Sequence, residues 1–116
     1  MPLVRLETNE CLAVETKQRL SAALSRLCAE VIGKPEAYVM VVVSDSATML
    51  HCGKSGAAAF VEVRSIGGLS AKVNNTLAQR LAGVVNETTG IAIDRIYLNF
   101  IDVAPGAWGH NGATFG

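Results

Sequence analysis

Residues 20–43 read LSAALSRLCAEVIGKPEAYVMVVV, and residues 77–100 read LAQRLAGVVNETTGIAIDRIYLNF; one lies over the other without a gap. The shift is 57 residues, so that Gly33 falls on Gly90. Leu20 falls on Leu77, Leu24 on Leu81, Leu27 on Val84 and Cys28 on Val85. Val39, Val41 and Val43 fall on Ile96, Leu98 and Phe100. Outside these stretches Val4 falls on Val61 and Leu6 on Val63. Self-similarity at a fixed period marks a repeated supersecondary unit. Here the repeat covers about residues 2–45 and 59–102 of a single 116-residue domain.

Each half reads as strand, helix, strand. Leu3 to Glu7 alternates apolar and polar side chains, the pattern of a half-buried strand. Leu20, Leu24, Leu27, Cys28 and Val31 recur at helical spacing, predicting a helix from about Val14 to Ile32 with one apolar stripe. Gly33 can end it in the left-handed conformation, and Pro35 blocks continuation. Tyr38 to Ser44 is the next strand. In the second half Phe60 to Ser65 is a strand, and Val73, Leu77, Leu81, Val84 and Val85 define a helix from about Ser70 to Thr88. Gly90 ends that helix and Arg95 to Asp102 closes the unit. The expected class is α/β: two β-α-β repeats forming a four-stranded mixed sheet, with right-handed crossovers and both helices on one face.

Strand parity places Val4, Leu6, Val39, Val41, Val61, Val63, Ile96, Leu98 and Phe100 under the helices. The opposite face carries Leu3, Arg5, Met40, Val42, Phe60, Glu62, Arg64, Tyr97, Asn99 and Ile101. That face is too apolar for a bare surface and too polar for a dry core. It fits a subunit interface bordering water, and predicts a homo-oligomer.

Half of the residues are hydrophobic and 17% are charged; ten basic side chains balance ten acidic ones. With neither a basic face nor many aromatics to stack bases, no nucleic-acid partner is expected. No apolar run is long enough to span a membrane, so no membrane role is expected. Arg5, Glu7 and Glu10 interrupt any signal-peptide core, which makes a cytoplasmic protein the default and leaves open export without such a signal. The three cysteines, Cys11, Cys28 and Cys52, show no C-x-x-C spacing and read as free thiols. His51 beside Cys52 has no second His/Cys cluster nearby, so no metal site is expected.

Five motifs stand in order along the chain. Met1-Pro2 opens a strand, Gly33-Lys34-Pro35 ends a helix with Tyr38 following, and Ser65-Ile66-Gly67 links strand to helix. Asp94 to Phe100 forms the last long strand, and Gly109 to Phe115 closes the chain. Together, at this length and over this repeat, they resemble the macrophage migration inhibitory factor family of the tautomerase superfamily. The resemblance implies a homotrimer, keto–enol tautomerase activity on small α-keto acids such as phenylpyruvate, and no cofactor. It also implies cytokine-like members that bind a protein receptor.

In that resemblance Pro2 is the catalytic base, its nitrogen freed by removal of Met1. A free α-amino group titrates at about 7.7–8.0. An apolar pocket and Lys34 nearby disfavour its charged form. A neutral amine can then move a proton from the carbon beside a ketone. If Met1 is retained, the Pro2 nitrogen is an amide and no base. The resemblance gives Lys34 the substrate's acidic end; a lysine at a helix C-terminus is also favoured by the dipole alone. It gives the Ile66 main-chain N–H a substrate oxygen, at what reads as a helix start favouring anions. Tyr97 and Asn99 point to one face and, by resemblance, reach a neighbouring subunit's pocket; an interfacial polar pair without a chemical role fits the pattern equally. Tyr38, Trp108 and Phe115 resemble the apolar wall and rim.

Three departures stand out. His110 occupies a frequently aromatic position and Trp108 a more often aliphatic one. Ala58 and Val61 stand where some members carry C-x-x-C, so no redox function carries over. Gly56-Ala57 replaces an acidic-Pro step, which alters the strand entry. Two other classes fit the chain: a cytokine-like interaction ligand with a vestigial site, and a domain that senses small ligands between subunits.

Overall fold

The computed structural model describes all of residues 1–116. The first unit comprises β1 (Pro2–Thr8), α1 (Val14–Ile32) and β2 (Met40–Ser44); the second comprises β3 (Ala59–Ser65), α2 (Ala71–Thr89) and β4 (Ile96–Asp102). The strands form one sheet in the order β2-β1-β3-β4. Within each unit the strands are parallel, and the units join through an antiparallel β1–β3 pair.

Helix ends follow local chemistry. Gly33 and Gly90 adopt φ of 78° and 79°, and their N–H groups bond the carbonyls of Ala29 and Asn86. An L side chain rarely takes that conformation, which is why each helix stops at its glycine. Ser70 caps α2, its hydroxyl accepting from the Val73 N–H at 3.1 Å. The cap of α1, Ala13, offers no side chain. Asp45 compensates from outside, accepting from the Leu12 N–H at 2.9 Å and from Lys17 at 3.4 Å.

The core lies between the helices and one sheet face. Val4, Leu6, Val61, Val63, Leu20, Leu24, Leu77, Leu81 and Val85 are fully buried. The register puts Val4 beside Val41 and Val63, and Val61 beside Leu98, as parity predicts. The opposite face is open: Met40 and Tyr97 are 63% and 62% exposed.

The repeat reaches further than the elements read from sequence. A 3-10 turn at Glu36–Tyr38 precedes β2, and one at Ile93–Arg95 precedes β4, again 57 residues apart. Both expected strands therefore begin late, at Met40 rather than Tyr38 and at Ile96 rather than Arg95. The chain closes in a hairpin, β5 (Gly109–His110) against β6 (Ala113–Thr114), that the reading of the sequence did not include. Its signal is Asn111-Gly112, with φ of 54° and 81°. Two consecutive positive φ angles make the twist-matched two-residue turn that favours Asn-Gly.

Candidate active site

The N-terminal end of β1, the C-terminal end of α1 and the closing hairpin meet around a cavity of about 620 Å³. Met1, Lys34, Tyr38, Ile66, His110 and Phe115 line it. A smaller groove continues from it past Pro2 and Trp108, sharing Tyr38 and His110.

Pro2 is buried because its ring sits at the end of β1, opposite Ser65 of β3. The amino terminus one residue ahead is partly enclosed. Burial, and then repulsion from Lys34, hold its amine below the usual value of 8.0. The place where a terminal amine lies therefore favours the neutral, proton-accepting form.

Lys34 follows the glycine stop of α1 and its N–H still bonds the Ala29 carbonyl at 3.1 Å. Its ammonium makes no ion pair within the chain. The stem crosses Gly68, where an added Cβ would lie 3.4 Å from Lys34 Cε and 2.7 Å from Ile32 Cγ2. With φ of +79° as well, Gly68 is the one residue type that lets the turn after β3 press against the end of α1.

Ile66 opens that turn. The Ser65 hydroxyl donates to the Gly67 carbonyl at 2.6 Å, and the Gly67 N–H donates to Asp102 at 3.0 Å. The Ile66 N–H finds no backbone acceptor in the chain, and Ile66 lines the cavity. The expected helix start does not lie here: α2 begins at Ala71, and Ile66 stands in a turn whose next residue, Gly67, is tied to Ser65 and Asp102.

Tyr38 and Phe115 form walls, 54% and 45% exposed. The Phe115 N–H bonds the carbonyls of Pro105 and Trp108, which draws the end of the chain back onto the cavity. Trp108 lies in the adjoining grooves, beside Pro2 on one side and beside Leu3, Met40 and Arg64 on the other. His110 takes the wall position, its ring parallel to Phe115 within 5° at a centroid distance of 6.1 Å.

Tyr97 and Asn99 are not part of this cavity within one chain. Pro2 pairs with Ser65 and Ser65 with Asp102, whereas Tyr97 pairs with Phe60, five residues down the strand. That is about 17 Å at the usual strand rise. Tyr97 instead borders an apolar groove with Leu50, His51 and Phe60. The His51 and Tyr97 rings meet edge to face at 4.4 Å.

Arg95 was not singled out by function and proves to be the clasp of the second half. Its guanidinium donates to the carbonyls of His51 (2.7 Å), Gly56 (2.8 Å), Lys54 (3.1 Å) and Ala57 (3.1 Å). Asn9 holds the same segment from the other side through Ser55, Gly56 and Ala58. This is how the chain enters β3 through Gly56-Ala57.

The model of the family described as macrophage migration inhibitory factor (MIF) matches residues 1–116. The chain belongs to the macrophage migration inhibitory factor family. Among MIF relatives, a homolog from Brugia malayi is 32% identical over the full length of both chains. The factor from Rattus norvegicus is 31% identical over 99% of each. The crystal structure of a MIF homologue from Prochlorococcus marinus superposes with a TM-score of 0.93 at 34% identity, covering 98% of this chain and 99% of that one. The structure of Pt0534 inactivated by 2-oxo-3-pentynoate superposes at 0.86 with 25% identity, covering 97% and 94%. The MIF fold accounts for the two β-α-β units and the mixed sheet. No helix of this MIF-family chain is long and apolar enough to cross a membrane.

Proposed function

We propose that the protein is a keto–enol tautomerase of small α-keto acids, with the Pro2 nitrogen as general base after removal of Met1. The observation that carries this reading is the place of the amino terminus: it lies in a cavity without a carboxylate, beside an unpaired lysine, where the Met1 amine, one residue ahead of Pro2, is held below the usual value. An amine with a lowered pKa is a competent base near neutral pH.

The mechanism follows from the same residues. Lys34 and the free Ile66 N–H hold the substrate carboxylate and the oxygen that gains charge in the enolate. The neutral Pro2 nitrogen takes a proton from the carbon next to the ketone. The C–H electron pair moves into the carbon–carbon bond and the carbonyl pair onto oxygen. The protonated proline then returns the proton to oxygen. No metal or electron carrier enters the balance. Tyr38 and Phe115 shield the site, with Trp108 alongside. Support for the substrate class comes from Pt0534, which 2-oxo-3-pentynoate, itself an α-keto acid, inactivates.

The active form is a homotrimer in this proposal. Tyr97 and Asn99 stand too far from Pro2 of their own chain and contribute to a neighbour's cavity. The open face, with Met40, Val42 and Tyr97 exposed, supplies the apolar surface for assembly.

The test is the initial rate of phenylpyruvate enol–keto conversion by ultraviolet absorbance, on protein whose mass confirms loss of Met1. We expect a rate well above buffer and a fall of about 10²-fold or more in kcat/KM for Pro2→Ala, the scale of a positioned general base. The acid limb of kcat/KM should lie below the usual α-amino value, because protonation disables the base. A Pro2→Ala variant as fast as the parent removes proline from the mechanism; a parent rate equal to buffer removes the activity.

A further inference from the structure

The polar lining of the cavity is of one chemical kind. Lys34 and the Ile66 N–H present donors, the Tyr38 hydroxyl can donate, and His110 adds an imidazole; no carboxylate borders the cavity or the groove beside it. Proposed substrate binding uses only part of this set. Lys34 and Ile66 serve the α-keto acid end, and His110 on the wall is left over.

His110 is also built into place. The Asn111-Gly112 turn fixes its strand, and His110 pairs with Ala113 across the hairpin. Its ring runs parallel to that of Phe115 in an offset stack, with centroids 6.1 Å apart. Neither nitrogen has a hydrogen-bond partner in the chain, and the side chain is exposed to the cavity. A phenyl group against this wall would cover the imidazole edge without satisfying it, at a cost in desolvation. A second carboxylate would accept from it.

We propose that His110 selects α-keto acids that carry a second carboxylate, with Lys34 and the Ile66 N–H on the 1-carboxylate end and His110 on the distal one. The inference rests on the tautomerase reading. Proton removal is the same, with Pro2 taking a proton from C3 and the electron pair passing through C2 to the ketone oxygen; the exchange readout follows return to C3 rather than to oxygen, after the proline N–H has exchanged with solvent. In deuterium oxide the returned particle is a deuteron.

The experiment measures deuterium incorporation at C3 of 2-oxoglutarate and of phenylpyruvate by proton NMR, on protein lacking Met1. The expected result is a ratio of kcat/KM, 2-oxoglutarate over phenylpyruvate, that falls about tenfold or more in His110→Phe, the scale of one charge-assisted hydrogen bond. His110→Phe keeps a ring to stack on Phe115. His110→Gln, which keeps a donor, should retain the ratio within about threefold by the same argument. An unchanged ratio in His110→Phe overturns the proposal.

Failure of the tautomerase reading looks different, because the parent would then exchange neither substrate. Binding decides the proposal in that case. Trp108, the single tryptophan, borders the groove that His110 lines, and its emission reports a titration with 2-oxoglutarate. Weaker binding by His110→Phe supports the assignment, and equal affinity overturns it.

Discussion

The two halves of the molecule put the same architecture to opposite uses. Shifted by 57 residues, Pro2 corresponds to Ala59, Lys34 to Ile91 and Tyr38 to Arg95. In the first half these places open onto a cavity. In the second half they are closed: Ile91 is 1% exposed, and Arg95 ties down the segment that enters β3. One exchange of side chain, lysine for isoleucine just after a glycine stop, separates a polar mouth from a packed one. The lesson is that repeated backbone places can carry either an open cavity wall or packed core, and the side chains there decide which.

The sheet repeats the contrast in charge. Arg5 and Glu7 of β1 correspond to Glu62 and Arg64 of β3, so the signs invert between halves. Because β1 and β3 run antiparallel, the inverted copies face each other. Arg5 bonds Glu62 at 3.2 Å and also pairs with Glu7, while Arg64 donates to Glu62 at 2.5 Å. Glu62, nearly buried at the middle of the open face, is held below the usual carboxylate range by the bond from Arg64 and then by Arg5.

The comparison can be broken first in the core, where the halves should be equal. Leu24→Ala and Leu81→Ala occupy corresponding, fully buried places. Each should lose about 2–5 kcal/mol in denaturant unfolding, with similar values for the two. A large disparity would show that one helix carries more of the core than the other.

At the open and closed places the outcome should diverge. Arg95→Ala strips donors from the carbonyls of His51, Lys54, Gly56 and Ala57 and should cost about 1.5–3 kcal/mol. Limited proteolysis should speed up within residues 45–58. Tyr38→Ala, its counterpart on an open wall, should stay within about 0.5 kcal/mol, as surface changes do. Equal losses would contradict the division into a site and a clasp.

A third comparison pairs Cys28 with Val85, both fully buried. Burial pushes the Cys28 thiol up to about 12, so a thiol reagent at neutral pH should modify exposed Cys11 and Cys52 and leave Cys28 intact until unfolding. Cys28→Val copies the other half and should change stability by less than about 1.5 kcal/mol.

The smallest effect concerns Glu62. A carboxylate with a lowered folded pKa contributes stability above its ordinary value and loses it as pH falls through the folded value. Glu62→Gln should therefore weaken the protein at neutral pH and match the parent in strong acid. Parallel stability–pH curves for the two would mean that the arginines do not hold the carboxylate.

The elements themselves were legible because their signals are local and periodic. The apolar stripe of α1, the glycine at its end and the alternation in β1 need no knowledge of the rest of the chain. Gap-free repetition then implied that the second unit copies the first, which placed α2 and β4. The closing hairpin carried the Asn111-Gly112 signal, but its strands are two residues long and too short for alternation to register.

What the amino-acid order alone determined, then, is the pair of β-α-β units, their buried face, and the assembly of Pro2, Lys34, Ile66 and Tyr38 as candidates by family resemblance. Long-range contacts decided the remainder. Only the tertiary structure draws Phe115 and His110 over the cavity, ties the Gly67 N–H of the turn after β3 to Asp102, and lays the Lys34 stem across Gly68. Only it turns Arg95 from a strand residue into a clasp. A side chain's period along the chain reveals which face it occupies, but its hydrogen-bond partners are set by segments about 40 residues away, as Arg95 and Gly56 are, and no local pattern encodes them.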